Sequence, residues 1–172
     1  MNRHNDNDTD LLKLGKAVFH PQRYAVSRKG MVSSQHYLAT EAGKSILGKG
    51  GNAMDAAVAT AFALGVVEPA ASGLGGQTMI MYYDEASGRR IAFDGSSRAP
   101  SRITPGLLPK PYRLRGHMAT TVPSTPAVLA YVLDRYGTLS LEEVLAPAIE
   151  LAERGYRVSE LQYKLTKREL KR

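Results

Sequence analysis

The chain has 172 residues, 43% of them hydrophobic, and 23 Lys+Arg against 16 Asp+Glu give a net charge of +7; this suits one folded domain of ordinary size and excludes a disordered chain. There is no Cys, so disulfides, thiolate metal sites and cysteine nucleophiles are excluded together. The four histidines, His4, His20, His36 and His117, never fall at a ligand spacing such as H-x-x-x-H, so no zinc site is expected.

Residues 1–9 are polar and rich in Asn and Asp, which predicts disorder, and residues 1–29 read as an N-terminal extension to a domain over residues 30–172. The extension lacks an uninterrupted apolar h-region. The longest apolar stretch, residues 56–67, is too short to cross a bilayer and contains Thr60 and Gly65. The expectation is a cytoplasmic protein with no membrane association. Residues 30–37, GMVSSQHY, read as a short strand leading into a helix, in which Ala39, Ala42, Gly43, Ile46 and Leu47 recur at helical spacing before Gly50 and Gly51 stop it. Asn52 is a natural N-cap with Asp55 at the third helical position, and residues 53–65 follow as a helix that is apolar almost all round, hence buried on more than one side. Pro69 arrives too soon for that helix to continue. The run AASGLGG then reads as a loop, residues 78–83 as a buried strand, and residues 91–93 as the return strand of a hairpin.

Pro100, Pro105, Pro109 and Pro111 make residues 95–116 an irregular loop, of the kind that in a compact domain is usually functional or mobile. A short strand is expected over residues 120–122. Thr125 as N-cap with Pro126 at the first helical position opens a helix ending at Tyr136 and Gly137. Ser140 and Glu143 form a capping box for a helix to Arg154, closed by Gly155. Ser159 caps a last helix whose apolar residues, Leu161, Leu165 and Leu170, are too sparse to bury it.

The positive charge is uneven. Residues 51–88 hold no Lys or Arg, while Arg102, Lys110, Arg113 and Arg115 gather in the central loop and Lys164, Lys167, Arg168, Lys171 and Arg172 at the C-terminus. No aromatic-rich strand or recognition helix accompanies the charge, so nucleic acid is not an expected partner. Three tempting motifs fail. Gly43-Lys44-Ser45 resembles the tail of a phosphate-binding loop, but Leu38 stands where the first glycine belongs. Gly73-Leu74-Gly75 opens like a dinucleotide fingerprint, but Thr78 takes the third glycine position and a strand follows instead of a helix. Thr120-Thr121 has neither a free α-amine nor an adjacent base to make it a nucleophile. Gly73, Gly75 and Gly76 are read as permitting a tight chain path, Asp55 as a helix N-terminal carboxylate, and Glu68 as a loop or helix-end residue.

The segment GMVSSQHYLATEAGKSILGKGGNAMDAAVATAFALGVVEPAASGLGG resembles the opening of the large subunit of the γ-glutamyltransferase family, with its G-x-V-x-S/A-x-H-x-L-A, GGNA-x-DAAVA and VVEP-x-x-SG-x-GG blocks in that order. Downstream, VPSTPAVLAYVLDRYGTLSLEEVLAPAIELAERGYRVS is similar to the family's VPG-x-V-x-G, YG-x-L and L-x-PAI-x-LAE-x-G-x-x-V stretch. The resemblance implies an α/β (α+β) N-terminal nucleophile hydrolase fold, a four-layer αββα sandwich built jointly by a large and a small subunit, incomplete in this chain. It also implies a threonine nucleophile, exposed by self-cleavage at the start of the small subunit, whose new α-amine serves as its base. The implied partner is therefore the small-subunit portion, the implied substrate a γ-glutamyl or other carboxylate-bearing amide, and no cofactor or metal is called for. His36 takes a structural place in this pattern.

Two departures matter. The sequence stops at Arg172, before the family's cleavage site, so the chain alone is expected to be inactive, with no catalytic residue of its own. Family transferases also carry an R-E-x-A-P motif whose Arg grips the substrate α-carboxylate. Here Asp94-Gly95-Ser96-Ser97-Arg98-Ala99-Pro100 puts Ser96 at that Arg's place and Arg98 two residues later. The form is similar to a G-S-G-R-A-P variant in a branch that includes amidohydrolases of small acids such as oxamate. Arg98 is the candidate substrate-binding residue; the alternative is an Arg that only pairs with a surface acid. Three functions stand: a γ-glutamyltransferase-type enzyme piece, a small-acid amidohydrolase piece, or a non-catalytic remnant that binds a partner.

Overall fold

The computed structural model describes residues 25–104, 106–107 and 116–170. Contacts divide the chain into two units, Met1–Met31 and Val32–Arg172, and the architecture below belongs to the second. The expectations for residues 1–9, Lys110, Arg113, Arg115, Lys171 and Arg172 lie outside the described residues.

Helix α1 (Tyr37–Gly48) is entered not from a strand, as its sequence predicts, but from an extended segment that satisfies its polar groups locally. Ser34 Oγ donates to the His36 carbonyl at 2.9 Å and shares a hydrogen bond with Thr40 Oγ1 at 2.8 Å. His36 is the N-cap, its Nδ1 accepting the Leu38 N–H at 3.3 Å. Past Lys49 the chain turns through Gly50 at φ +93, a left-handed conformation that glycine adopts without penalty.

Helix α2 (Ala53–Val67) runs two residues beyond the expected end at Gly65. The predicted Asn52 cap forms, and Asp55 completes it as a capping box: Asn52 Oδ1 accepts from Met54 and Asp55 N–H at 2.8 and 3.0 Å, and Asp55 Oδ2 accepts the Asn52 N–H at 2.7 Å. Met54, Ala56, Val58, Ala59, Phe62, Ala63 and Val67 are all buried, so α2 is the centre of the core. Helix α1 crosses it closely because residue 43 has no side chain; a Cβ there would lie 3.0 Å from the Ala56 carbonyl and 2.9 Å from Val32 Cγ1. Pro69 ends α2 as expected, yet it also starts a new turn, α3 (Pro69–Ser72), where a loop is predicted. The missing N–H of proline costs nothing at a first helical position. Glu68 sits at this junction, with Oε2 accepting from Ser72 Oγ at 3.1 Å.

Strands β1 (Thr78–Asp84) and β2 (Arg89–Gly95) form an antiparallel hairpin in register from Thr78↔Gly95 to Asp84↔Arg89. The strand predicted to be buried is only half-buried, and on one face alone. Ile80, Tyr82 and Phe93 pack on the core, Tyr82 and Phe93 meeting the Tyr136 ring at 5.3 and 5.4 Å. Met79, Met81 and Tyr83 lie on the other face, Met81 90% exposed. In a strand alternate residues take opposite faces, so an apolar run on a one-sided sheet leaves half of itself open. The expected strand over residues 120–122 is a single bridge, Val122 to Arg98, following a 3-10 turn over His117–Ala119.

Helix α4 (Thr125–Tyr136) has Ser124, not Thr125, as N-cap, so Pro126 falls at the second helical position. Helix α5 (Leu141–Arg154) begins with the predicted Ser140–Glu143 box and stops at Gly155, φ +76. Helix α6 (Glu160–Glu169) is capped by Ser159 and buries no residue, in keeping with its sparse leucines.

The N-terminus of α2 and the turn between α4 and α5 meet at Asp55, which is fully buried. Its carboxylate accepts from Thr138 N–H at 2.9 Å, Thr138 Oγ1 at 2.7 Å and Leu139 N–H at 3.2 Å, while Asn52 Nδ2 donates to the Tyr136 carbonyl at 2.6 Å. Burial works to raise the carboxyl pKa, but the Thr138 hydroxyl and the Asn52, Thr138 and Leu139 N–H groups outweigh it and hold Asp55 below its ordinary value.

Candidate functional site

At the open end of the hairpin, β2 runs into the segment Asp94-Gly95-Ser96-Ser97-Arg98, and every residue of it is tied by a hydrogen bond. Ser96 turns back, donating its N–H and its hydroxyl to Asp94 Oδ1 at 3.0 and 2.5 Å. The Gly95 carbonyl accepts from Ser124 Oγ. Ser97 N–H donates to Gln77 Oε1 at 3.3 Å. Arg98 exchanges backbone bonds with Val122, its N–H donating at 3.3 Å and its carbonyl accepting at 2.8 Å. The result is an irregular loop with a fixed backbone, from which Arg98 stands exposed.

The charges are local. Hydrogen bonds from the Ser96 hydroxyl and N–H lower the Asp94 pKa, against a slight opposing effect of burial, and the Arg98 cation lowers it further. Asp94 is therefore anionic at neutral pH and acts on Arg98 through space. Among the described residues the ion pairs join Lys44 to Glu41, Arg135 to Asp134, Arg154 to Glu150, Lys164 to Glu160 and Arg168 to Glu169, and none takes up Arg98. A guanidinium on a fixed backbone, near a carboxylate but not clamped by it, can accept a second carboxylate in a bidentate hydrogen bond. Ser96 is committed to Asp94.

The other sequence-predicted positions separate cleanly. Gly73 lies in a tight turn, where a Cβ would be 2.8 Å from the Pro69 carbonyl, and the Gly76 N–H closes it onto the Gly73 carbonyl at 3.2 Å. The Gly76 carbonyl accepts from Ser124 N–H at 3.1 Å, which brings the glycine loop alongside the Arg98 loop. Asp55 and His36 are used inside the scaffold, away from this cluster. Thr120 and Thr121 are exposed loop residues. Among the described residues no group of three or more His, Asp or Glu could hold a metal ion, and no helix is long and apolar enough to cross a membrane. Gln77 and Ser124 carry no sequence signal for a role here, since their partners lie 20 and 29 residues away.

Known proteins give this arrangement its context. Over 166 residues the chain is 39% identical to the glutathione hydrolase proenzyme of Bacillus subtilis (strain 168), a match covering 85% of this chain and 28% of that protein. It is 41% identical over 150 residues to the acylase ACY 1 proenzyme of Pseudomonas sp. (strain V22), covering 78% of this chain and 26% of that one. The chain thus spans little more than a quarter of the length of these relatives. Among solved structures, the γ-glutamyltranspeptidase of Helicobacter pylori superposes with a TM-score of 0.79 at 38% identity, over 84% of this chain and 43% of that one. The six helices and the hairpin are accordingly the large-subunit part of an N-terminal nucleophile hydrolase fold. With the Gamma-glutamyltranspeptidase sequence profile matching residues 39–172, the order of blocks in the sequence and the packing of the helices lead to one assignment: this chain belongs to the γ-glutamyltranspeptidase family and corresponds to the N-terminal part of its large subunit.

Proposed function

We propose that the chain serves as the large-subunit part of an amide-cleaving acyltransferase or hydrolase, in which Arg98 holds a carboxylate of the substrate and a small-subunit portion supplies the nucleophile. The observation that carries the Arg98 assignment is the loop hydrogen-bonded at all five residues, which presents a cation that no acid among the described residues pairs directly. The open apolar face of Met79, Met81 and Tyr83 supports a second protein layer packed on the hairpin. In the proposed reaction the threonine hydroxyl of that portion attacks the amide carbonyl while the α-amine takes its proton. The C–N bond then breaks, the leaving amine carries the proton away, and the acyl group passes to water or to an amino-acid acceptor. No cofactor enters these steps.

A second reading, an acylase or amidohydrolase acting on a small acid, is favoured by a specific departure: the short Ser96 at the place of the family's Arg moves the cation two residues along the loop. A substrate carboxylate held there would sit at a different distance from the scissile bond. Co-expression with the nucleophile-bearing portion, followed by assay against a γ-glutamyl anilide and oxamate-like amides, separates the two. Arg98→Ala should raise KM for the preferred substrate by about ten- to a hundredfold, the range expected for loss of a charge-assisted hydrogen bond. An unchanged KM would remove Arg98 from the site.

A further inference from the structure

The hydroxyl of Ser124 is used outside its own helix. A serine at an N-cap ordinarily accepts from the backbone N–H two or three residues on. Here α4 has no side-chain cap bond, and Ser124 Oγ donates instead to the carbonyl of Gly95. The backbone N–H of the same residue donates to the Gly76 carbonyl at 3.1 Å. One residue thus joins the glycine loop, the end of β2 and the start of α4, two positions after the Val122 bridge to Arg98.

We propose that Ser124 is a positioning residue that fixes the Arg98 loop for carboxylate binding, an inference that rests on the Arg98 reading above. Gly95 is buried, and a Cβ on it would press on the Thr78 carbonyl and come within 3.3 Å of Val128 Cβ. The bond therefore runs from a half-buried hydroxyl to a buried glycine, and its loss removes the side-chain anchor of the loop at that point. The Ser124 bond anchors the near end of the loop as the Val122 bridge anchors the far end. Without it, Ser97 is left with its single bond to Gln77, and the backbone under Arg98 gains freedom. A bidentate pair needs both guanidinium N–H groups aligned at once, so play in the backbone weakens binding without touching the reacting atoms. The attachment of α4 to the hairpin has a separate link, the 2.9 Å bond between Thr78 Oγ1 and the buried Thr125 Oγ1, so loss of the Ser124 hydroxyl need not release the helix.

The test compares Ser124→Ala and Ser124→Thr, the second retaining a hydroxyl. Hydrogen exchange on the chain should show the amides of Ser97 and Arg98 exchanging about two- to tenfold faster in the Ala variant, with α1, α2 and α4 unchanged and the Thr variant restored, as for loss of one hydrogen bond from a local opening unit. In the enzyme reconstituted with the nucleophile-bearing portion, KM for the γ-glutamyl anilide should rise by a similar factor in Ser124→Ala with kcat held. Unchanged exchange overturns the positioning role. Faster exchange with unchanged KM, in a background where Arg98→Ala does raise KM, overturns its bearing on the substrate. Faster exchange with KM unchanged in Ser124→Ala and in Arg98→Ala alike overturns the Arg98 reading itself, and with it the substrate role of Ser124.

Discussion

Two carboxylates of this chain are each gathered into a hydrogen-bonded knot, and the knots serve opposite ends. Asp55 is wholly buried, and besides the Asn52 N–H of its own capping box its partners, Thr138 and Leu139, lie more than eighty positions away. Asp94 is exposed, and its direct partner is Ser96, two residues on. The first knot consumes its polar groups in joining α2 to the turn between α4 and α5. The second uses its bonds to stiffen a loop and leaves a cation outside them. Saturated and buried, a polar cluster contributes stability; stiff and exposed with a charge to spare, it suits the recognition role proposed for Arg98.

The contrast can be broken at its strongest point first. Asp55→Ala should cost about 2–4 kcal/mol, because several N–H donors and a hydroxyl lose a shared buried acceptor at once; a urea melt in which the variant falls within about 0.5 kcal/mol of the parent would mean the knot is ornamental. Its pH dependence sharpens the same point. The folded-state pKa of Asp55 is depressed, so its contribution is complete above the ordinary carboxylate range and is lost as pH falls through that range to the folded value. The gap between parent and Asp55→Ala should accordingly narrow between about pH 7 and about pH 3. A gap that widened toward acid would reverse the assignment. Next in size, Arg98→Glu in the reconstituted enzyme should raise KM more than Arg98→Ala does while the unfolding midpoint of the chain stays put; a lowered midpoint would make Arg98 a scaffold residue like Asp55. The smallest effect is expected on the open face of the hairpin. Met81→Lys should leave the stability of the chain within about 0.5 kcal/mol of the parent, as for exposed positions generally, yet weaken its association with the small-subunit portion in a pull-down titration.

The knots also differ in how far the sequence foretells them. Asn52–Asp55 and Ser140–Glu143 are legible because a capping box is written in residues three apart, and so is the serine cap at Ser159. The reach of Asp55 to Thr138 and Leu139 is not, since nothing in the spacing relates helix α2 to a turn so distant. Ser124 and Thr125 are both good caps, and choosing between them needs the knowledge that Thr125 is drawn to Thr78 and the Ser124 hydroxyl to Gly95. The one-sided burial of β1 is hidden because Met79 and Met81 are as apolar as Ile80. Pro69 is a plain stop signal, but its second use as the first residue of α3 depends on what the following residues can pack against. Arg98 is visible as a cation beside Ala99-Pro100; that its loop is pinned at each residue is a matter of contacts across the fold.

The hairpin has a consequence for handling the chain by itself. A two-stranded ribbon has two edges of unpaired backbone groups, and this one adds a face carrying Met79, Met81 and Tyr83. Such edges are templates for further strands, and another copy of the same hairpin is the nearest supply. Purified without a covering layer, the chain should show light scattering that climbs with concentration while its helical signal holds steady. Colloidal behaviour, rather than unfolding, would then set the concentration at which the helical core can be studied.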